Sequence, residues 1–228
     1  MNTIAKTRGR DPIQDIRDSI PTYNAKVVFD VGANIGQSSL TYLKQFPNST
    51  VYCFEPITET FLKLKRNVIS SRVVFNQLAL GESNSTGIMV LTGTPDTYHI
   101  INNHTNPRQE KTETVNITYI DHFCNTNKIE QINYLKIDTE GFDLHVLMGS
   151  RKMLGQQKID FIEVETAMNP FNTFHASFES IKQFLENYKY YLFGIYEQVS
   201  ERPTKEIHLR RCNPLFVSKR IIDANKTT

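Results

Sequence analysis

The sequence predicts an α/β fold on a doubly wound, mostly parallel sheet with an antiparallel edge and an inserted section of strands and loops. Short apolar runs alternate with segments of helical period along most of the 228 residues, which is typical of parallel strands joined by helices. The first run breaks into a turn between Gly32 and Gly36. The last two runs, Tyr190–Tyr196 and Asn213–Val217, follow each other without a helix between them. A sheet of this order is Rossmann-like, with the last two runs as its antiparallel edge.

Local signals place each element along the chain. Asp11 before Pro12 predicts a helix that ends near Ile20, because an N-cap aspartate followed by proline favours a helix start. Apolar runs predict the strands, and apolar residues at helical spacing predict the other helices. The predicted elements that follow are strand Lys26–Val31, helix Gly36–Phe46, strand Thr50–Phe54, helix Thr58–Ile69, strand Val73–Leu80, strands Gly87–Leu91 and Thr112–Ile120, a short helix from Asp121, strand Tyr134–Ile137, a helix from Phe142, strand Ile159–Glu165, helix Ser177–Tyr188 and the two closing strands.

The length is that of one domain. We expect residues 1–25 to form an N-terminal tail and a short helix, and residues 26–228 to form a single domain. The alternation of strands and helices lapses from about 82 to 120, which indicates an insertion. Its polar stretch, Thr92–Lys111, is expected to be a loop or lid, because loops of this length are often functional.

Composition and charge exclude several classes of protein. The 26 basic and 24 acidic side chains give a formal net charge of +2, without the basic excess typical of nucleic-acid binding. The 3 cysteines lie at unrelated spacings, which supports neither a disulfide framework nor a zinc site. No apolar run approaches the roughly 20 residues that span a bilayer, and the N-terminus lacks the apolar core of a signal peptide. We therefore expect a cytoplasmic protein without a membrane span, and the sequence gives no indication of its oligomeric state.

The turn after the first strand has the features of a nucleotide site. Gly32 allows a sharp turn, and Gly36 lets a ligand approach the start of the helix with no Cβ in the way. Glu55, at the end of the second strand, is placed to accept hydrogen bonds from both hydroxyls of a ribose. The spacing D-x-G-x-N-x-G differs from the dinucleotide pattern G-x-G-x-x-G, and Asp30 suits a ligand that carries an ammonium group. These features predict S-adenosylmethionine rather than NAD.

Four segments together resemble the FkbM family of S-adenosylmethionine-dependent methyltransferases: Val27–Gly36, Val51–Pro56, Leu78–Glu82 and Tyr134–Phe142. The resemblance extends from about Lys26 to Thr166, and the element Asp-Thr-Glu-Gly after a strand is its most specific mark. It implies methyl transfer to a hydroxyl group of a sugar or glycan, and thus a small-molecule or glycan acceptor. It also implies that the segment around Ala79 flanks the adenine. The predicted cofactor-binding residues are Asp30, Gly32, Asn34, Gly36, Glu55, Pro56, Ala79 and Asp138.

Three carboxylates are the candidate catalytic residues: Asp138, Glu140 and Glu165. They follow the fourth and fifth predicted strands, where the acceptor of the methyl group is expected. An aliphatic hydroxyl is a poor nucleophile until its proton is being removed, and a carboxylate within hydrogen-bond reach acts as general base. Glu140 is also suited to cap the helix after it. Asp138 and Glu165 would suit Mg²⁺, but we do not favour a metal and predict no set of metal ligands.

The acceptor pocket is expected between the insertion and the loop Ala167–Ala176, where Tyr98, Phe171 and Phe174 are available to stack on a ring. Two other functions stay open at this point. One is a binding module that keeps the cofactor pocket without catalysis. The other, less favoured, is an NAD-dependent oxidoreductase.

Overall fold

The computed structural model describes Gly9, residues 11–91, the backbone of residues 99–101, and residues 111–201 and 207–226. Its elements in order are α1 Pro12–Ser19, β1 Val27–Val31, α2 Gln37–Gln45, β2 Thr50–Phe54, α3 Thr58–Asn67, β3 Val73–Asn76, β4 Ala79–Leu80, β5 Ser85–Val90, β6 His99–Ile101, β7 Thr112–Thr118, α4 Ile120–Thr126, β8 Ile132–Ile137, α5 Asp143–Met148, α6 Arg151–Gly155, β9 Ile159–Val164, β10 Thr166–Ala167, α7 Phe178–Asn187, β11 Tyr190–Ser200, β12 Leu209–Ser218 and α8 Lys219–Lys226.

The main sheet has eight strands in the order β10-β12-β9-β8-β1-β2-β3, and β11 pairs with β12. The five strands from β9 to β3 are parallel to one another. Strand β12 runs antiparallel to its neighbours β9, β10 and β11. The predicted class, a mostly parallel α/β sheet with an antiparallel edge, is confirmed. Because β1, β2, β8 and β9 are parallel, their carboxyl ends lie at the same edge of the sheet.

Part of the inserted section forms a second sheet of four strands in the order β4-β7-β5-β6. The sequence predicted one strand over Val73–Leu80, and this was wrong: β3 ends at Asn76, and Ala79–Leu80 pairs instead with Ile117–Thr118 of β7. The apolar run is nearly continuous, so its pattern does not reveal a change of partner. Within the predicted lid Thr92–Lys111, residues 92–98 and 102–110 lie outside the described residues.

Two apolar clusters cover the two faces of the main sheet. Successive strand residues alternate between them, as the pleat requires: Tyr134 of β8 packs in the cluster with α1, α2 and α3, and Leu135 packs in the cluster with α4 to α7. Helix α1 starts as predicted, with the Asp11 side chain accepting hydrogen bonds from the backbone of Ile13 at 2.9 Å and Gln14 at 3.0 Å. In the described part of the chain, no helix combines the length and the apolar character needed to cross a membrane.

Candidate active site

A cavity of about 350 Å³ opens where the carboxyl ends of β1, β2, β8 and β9 meet the second sheet. Eight of the residues predicted from the sequence line it: Gly32, Asn34, Glu55, Pro56, Ala79, Asp138, Glu140 and Glu165. The predicted cofactor side and the predicted acceptor side therefore share one space. A volume of this size is within the range of small-molecule sites.

Glu55 lies at the tip of β2, with only 6% of its surface exposed. Its two carboxylate oxygens accept hydrogen bonds from the backbone of Asn34 at 3.1 Å and of Ile57 at 2.9 Å. Burial raises the pKa of Glu55 to about 7, against the effect of these two hydrogen bonds. The side chain is thus fixed toward the cavity, and each of its oxygens retains capacity for a further hydrogen bond from a ligand.

Two predicted cofactor residues, Asp30 and Gly36, are not among the residues that line the cavity, and their contact with the cofactor stays a prediction. Asp30 is 1% exposed, and its carboxylate accepts a hydrogen bond from the Ser39 hydroxyl at 2.5 Å beneath the turn. Burial raises the pKa of Asp30 to about 6. Gly36 caps α2 with a φ of 100°, and a Cβ there would lie 2.4 Å from Val68 and 2.9 Å from Leu64. Both residues support the turn through packing within the protein.

Gly32 brings the turn after β1 and the loop after β8 into contact. Its φ is +79°, and a Cβ on it would lie 1.8 Å from the carbonyl oxygen of Asp138. The backbone N–H of Asp138 in turn donates to the carbonyl of Val31 at 3.0 Å. The turn after β1 and the loop after β8 are therefore packed backbone against backbone, which fixes Asp138 beside the predicted cofactor turn.

Asp138 is held by a buried lysine of its own strand. The ammonium group of Lys136, which is 5% exposed, lies 3.1 Å from Asp138 Oδ2. Burial alone would raise the pKa of Asp138, but the charge of Lys136 and a hydrogen bond donated by Glu165 hold it below its ordinary value. Asp138 is thus ionised at neutral pH and available to accept a hydrogen bond in the cavity.

Glu165 extends this group toward the antiparallel edge. One of its oxygens is in close contact with the guanidinium of Arg211, and the other lies 3.5 Å from Nε2 of His175. Burial, and then the charge of Asp138, raise the pKa of Glu165. Burial and the nearby arginine lower the pKa of His175 to about 4, so this imidazole is neutral at pH 7.

Among the described residues, Glu140, Glu165 and His175 offer ligand atoms that lie within 4.8 Å of one another. These three residues would hold a metal ion if one binds. The sequence had instead indicated Asp138 and Glu165 as the pair that would suit Mg²⁺. The contact with Arg211 already supplies Glu165 with a positive partner.

Three residues of the site were not assigned from the sequence: Lys136, Glu197 and Arg211. Glu197 and Arg211 line the cavity from β11 and β12, far along the chain from the other lining residues. A charged residue in the middle of an apolar strand was the signal available for Lys136, since such a residue needs a partner. Of the residues expected to stack on an acceptor, Phe171 and Phe174 are exposed, and Tyr98 lies outside the described residues.

Two solved structures are similar to this chain in fold. The chain is similar to TrmK of M. capricolum in complex with S-adenosyl-homocysteine, with 10% identity and a TM-score of 0.50 over 90% of this chain and 67% of that one. It is similar to a chain of a fibrillarin/Nop5p complex, with 9% identity and a TM-score of 0.50 over 86% of this chain and 73% of that one. At these identities the likeness shows the fold.

Two curated relatives have sequences similar to this one. The hexuronic acid methyltransferase AglP of Haloferax volcanii is 27% identical over 145 residues, which are 63% of this chain and 58% of AglP. The 31-O-demethyl-FK506 methyltransferase FkbM of Streptomyces tacrolimicus is 35% identical over 81 residues, which are 36% of this chain and 31% of that protein. The matched segments thus span between about a third and three fifths of these relatives.

The match to a family model covers the predicted cofactor-binding residues and the candidate catalytic residues. The model, described as the methyltransferase FkbM domain, matches residues 30–192, which is more than half of the chain. This match confirms the resemblance found in the sequence, and the chain belongs to the FkbM methyltransferase domain family.

Proposed function

We propose that this chain is an S-adenosylmethionine-dependent methyltransferase that methylates a hydroxyl group of a sugar or glycan. The observation that carries the proposal is the shared cavity, which brings Glu55 together with Asp138, Glu140 and Glu165. The family supports methyl transfer, and a relative named as a hexuronic acid methyltransferase supports a sugar acceptor.

The residues of one end of the cavity fit the cofactor. Glu55 presents a buried carboxylate at the position expected for ribose hydroxyls, and Ile57, Leu78 and Met89 provide apolar walls beside Ala79 that suit a flat base. When bound, S-adenosylmethionine supplies a methyl group on a positively charged sulfur, ready for displacement. The carboxylates that line the cavity are compatible with that positive charge.

The other end of the cavity fits a hydroxyl acceptor. Asp138 is ionised and accepts the hydroxyl proton as the oxygen begins to bond to carbon, so it is the general base of the proposal. Lys136 keeps this carboxylate ionised and oriented through their contact at 3.1 Å. Glu165 in its protonated form donates a hydrogen bond to Asp138, and we assign it the role of orienting that group.

The cofactor half of the proposal is tested by calorimetry with S-adenosylhomocysteine. The measurement is made at about pH 8, above the raised pKa of Glu55, so that most of this side chain is ionised. We expect Glu55→Gln to weaken binding there by roughly tenfold or more, because hydrogen bonds to a charged group contribute about 1.5–3 kcal/mol. The matched control is Glu59→Gln in the first turn of α3, whose exposed side chain pairs with Lys63. This variant should bind like the wild type.

Three results would contradict the proposal in different ways. Binding of NAD, with no binding of S-adenosylhomocysteine, would favour the oxidoreductase. Equal binding by Glu55→Gln and the wild type would contradict the ribose assignment. Binding without transfer of a labelled methyl group to any of a broad range of hydroxyl acceptors would favour the non-catalytic module.

A further inference from the structure

The hairpin of β11 and β12 contributes a wall to the cavity. Glu197 and Arg211 of this hairpin line the cavity, and both lie beyond residues 30–192, which match the family. Glu55 and Asp138 lie inside the matched segment. The proposed ribose-binding residue and the proposed base thus lie in the part of the chain that matches the family, and this wall comes from a part that the family model does not cover.

An irregularity in β11 aims Glu197 at the cavity. The register with β12 shifts between Tyr196 and Val199, which is the signature of a β-bulge, and bulges re-aim side chains. Glu197 has a φ of 44°, in the left-handed region that residues other than glycine rarely adopt. Such conformations are concentrated at functional sites.

A buried asparagine fixes that carboxylate. Nδ2 of Asn213, which is 0% exposed, donates to Glu197 Oε2 at 2.8 Å. An ionised carboxylate has about four acceptor positions, and this contact uses one of them. Glu197 is therefore held in place with capacity to accept further hydrogen bonds from a bound molecule.

The charges around the cavity disfavour an anion. Its described lining has five carboxyl groups, those of Glu55, Asp138, Glu140, Glu165 and Glu197, and one cationic side chain, that of Arg211. The guanidinium already contacts Glu165, and the neighbouring His175 is neutral at pH 7. Because Glu165 is protonated, the charge of Arg211 instead stabilises the ionised Asp138. A ligand carboxylate would therefore compete with Asp138 for the one cationic side chain of the described lining.

We infer that Glu197 is an acceptor-specificity residue that accepts a hydrogen bond from a hydroxyl of an uncharged sugar, and that the surrounding carboxylates exclude sugar acids. This inference rests on the proposed function. It assigns the hairpin wall to recognition of the acceptor, next to the proposed base Asp138.

The test uses the full chain, radiolabelled S-adenosylmethionine and paired acceptors. Methyl glycosides of glucose, galactose and mannose are each compared with the corresponding methyl uronoside. For each pair that contains a substrate, we expect kcat/KM to be at least about tenfold higher for the methyl glycoside than for the methyl uronoside. Glu197→Gln should raise the KM for that acceptor by about tenfold with little change in kcat, because it removes a charged hydrogen-bond acceptor. Its affinity for S-adenosylhomocysteine should not change.

Two further variants make the result specific. Glu197→Gly removes the carboxylate and accommodates the positive φ, so it should give the same rise in KM in a fully folded protein. Glu186→Gln, on the exposed face of α7 where the side chain pairs with Lys182, should leave both KM and cofactor affinity as in the wild type.

Each other outcome overturns the inference or its foundation. Equal or better use of the uronosides would overturn the exclusion of sugar acids. A weaker affinity for S-adenosylhomocysteine in Glu197→Gln, with an unchanged KM, would place Glu197 at the cofactor. Cofactor binding without transfer to any sugar would overturn the substrate class. Failure of the wild type to bind S-adenosylhomocysteine would instead contradict the proposed function itself.

Discussion

Lys136 on β8 and Asp138, which directly follows this strand, are two residues apart, and their side chains form an ion pair. Glu163 of β9 is the register partner of Lys136, and the Tyr134 hydroxyl donates to Glu163. Burial alone would lower the pKa of Lys136, but the surrounding carboxylates Asp138, Glu163 and Glu165 raise it above its ordinary value. A lysine that stays charged inside the sheet provides a fixed positive partner for the proposed base.

Replacement of Asp138 tests the proposed base directly. Asp138→Asn keeps the shape of the side chain and removes its capacity to take a proton. We expect kcat/KM to fall by about 10²–10⁴-fold, with nearly unchanged affinity for S-adenosylhomocysteine by calorimetry. Asp223→Asn in α8, where the exposed side chain pairs with Lys219, serves as control. Full activity of Asp138→Asn would move the role of base to Glu140, Glu165 or His175.

The sequence identified the strand-tip residues of the site better than the residues that support them. Glu55, Asp138 and Glu165 were predictable because parallel strands deliver their last residues to one edge. Asp30 lies just inside the strand end, where a carboxylate points equally well to a ligand or to a neighbouring helix, and here it accepts a hydrogen bond from Ser39 of α2. Glu197 depends on a bulge in the register of two distant strands, which no local pattern reveals.

At the scale of elements, the turn after β1 and the loop after β8 are packed so closely that no side chain fits at their point of contact. Gly32 occupies the point of contact, with its positive φ and with the carbonyl of Asp138 where a Cβ would lie. The separation between the two loops is set by backbone atoms. A change at this point should therefore affect both loops at once.

We expect Gly32→Ala to lower the free energy of unfolding by about 1–3 kcal/mol or more, because overpacking and a positive φ act together. Urea denaturation measures this change. Gly155→Ala is the matched control: a Cβ there would meet only Tyr188 at 4.0 Å, and alanine is the better helix former. Its stability should be equal or slightly higher. An equal decrease in the free energy of unfolding for the two variants would contradict a specific role of Gly32 in the contact between the two loops.

Most elements were predictable, and the exceptions have physical reasons. Helix α1 has an N-cap and a proline at its start, and the parallel strands are apolar runs of the expected length. Helix α8 was missed because Ile221 and Ile222 are the only large apolar residues in Lys219–Lys226. Both pack on the cluster beside α1 and α2. Strand β4 was assigned to the wrong sheet because its pairing with β7 depends on residues almost 40 positions away.

At the scale of the whole molecule, several buried carboxyl groups bind protons more tightly in the folded chain. Burial raises the pKa of Asp30 and of Asp143 from 3.8 to about 6, and that of Glu55 from 4.5 to about 7. Asp143 is 0% exposed and accepts hydrogen bonds from the backbone of Thr139 and Gly141. Between the ordinary and the raised pKa, the folded state holds protons that the unfolded chain has released.

Stability should therefore fall as the pH rises from 5 to 7. A group with a raised pKa contributes stability below its ordinary pKa and loses that contribution as the pH passes through the raised value. Each group contributes a slope of up to about 1.4 kcal/mol per pH unit. His175 acts in the opposite direction between pH 4 and 6.5, because its pKa is lowered to about 4.

Urea denaturation at several pH values checks this expectation. Glu55→Gln is the informative variant, because it removes one of the carboxyl groups with a raised pKa and should make the dependence of stability on pH less steep. A free energy of unfolding that stays level or increases from pH 5 to 7 would contradict the assignment of these groups as protonated in the fold.

The second sheet lines one side of the cavity, and the main sheet lines the other. Ala79 and Leu80 of β4 and Met89 of β5 face the same space as Glu55 and Asp138 of the main sheet. A ligand bound in the cavity would contact both sheets and would therefore link them. Because its binding free energy belongs to the folded state alone, the inserted section should be held most firmly against the main sheet when the cavity is filled.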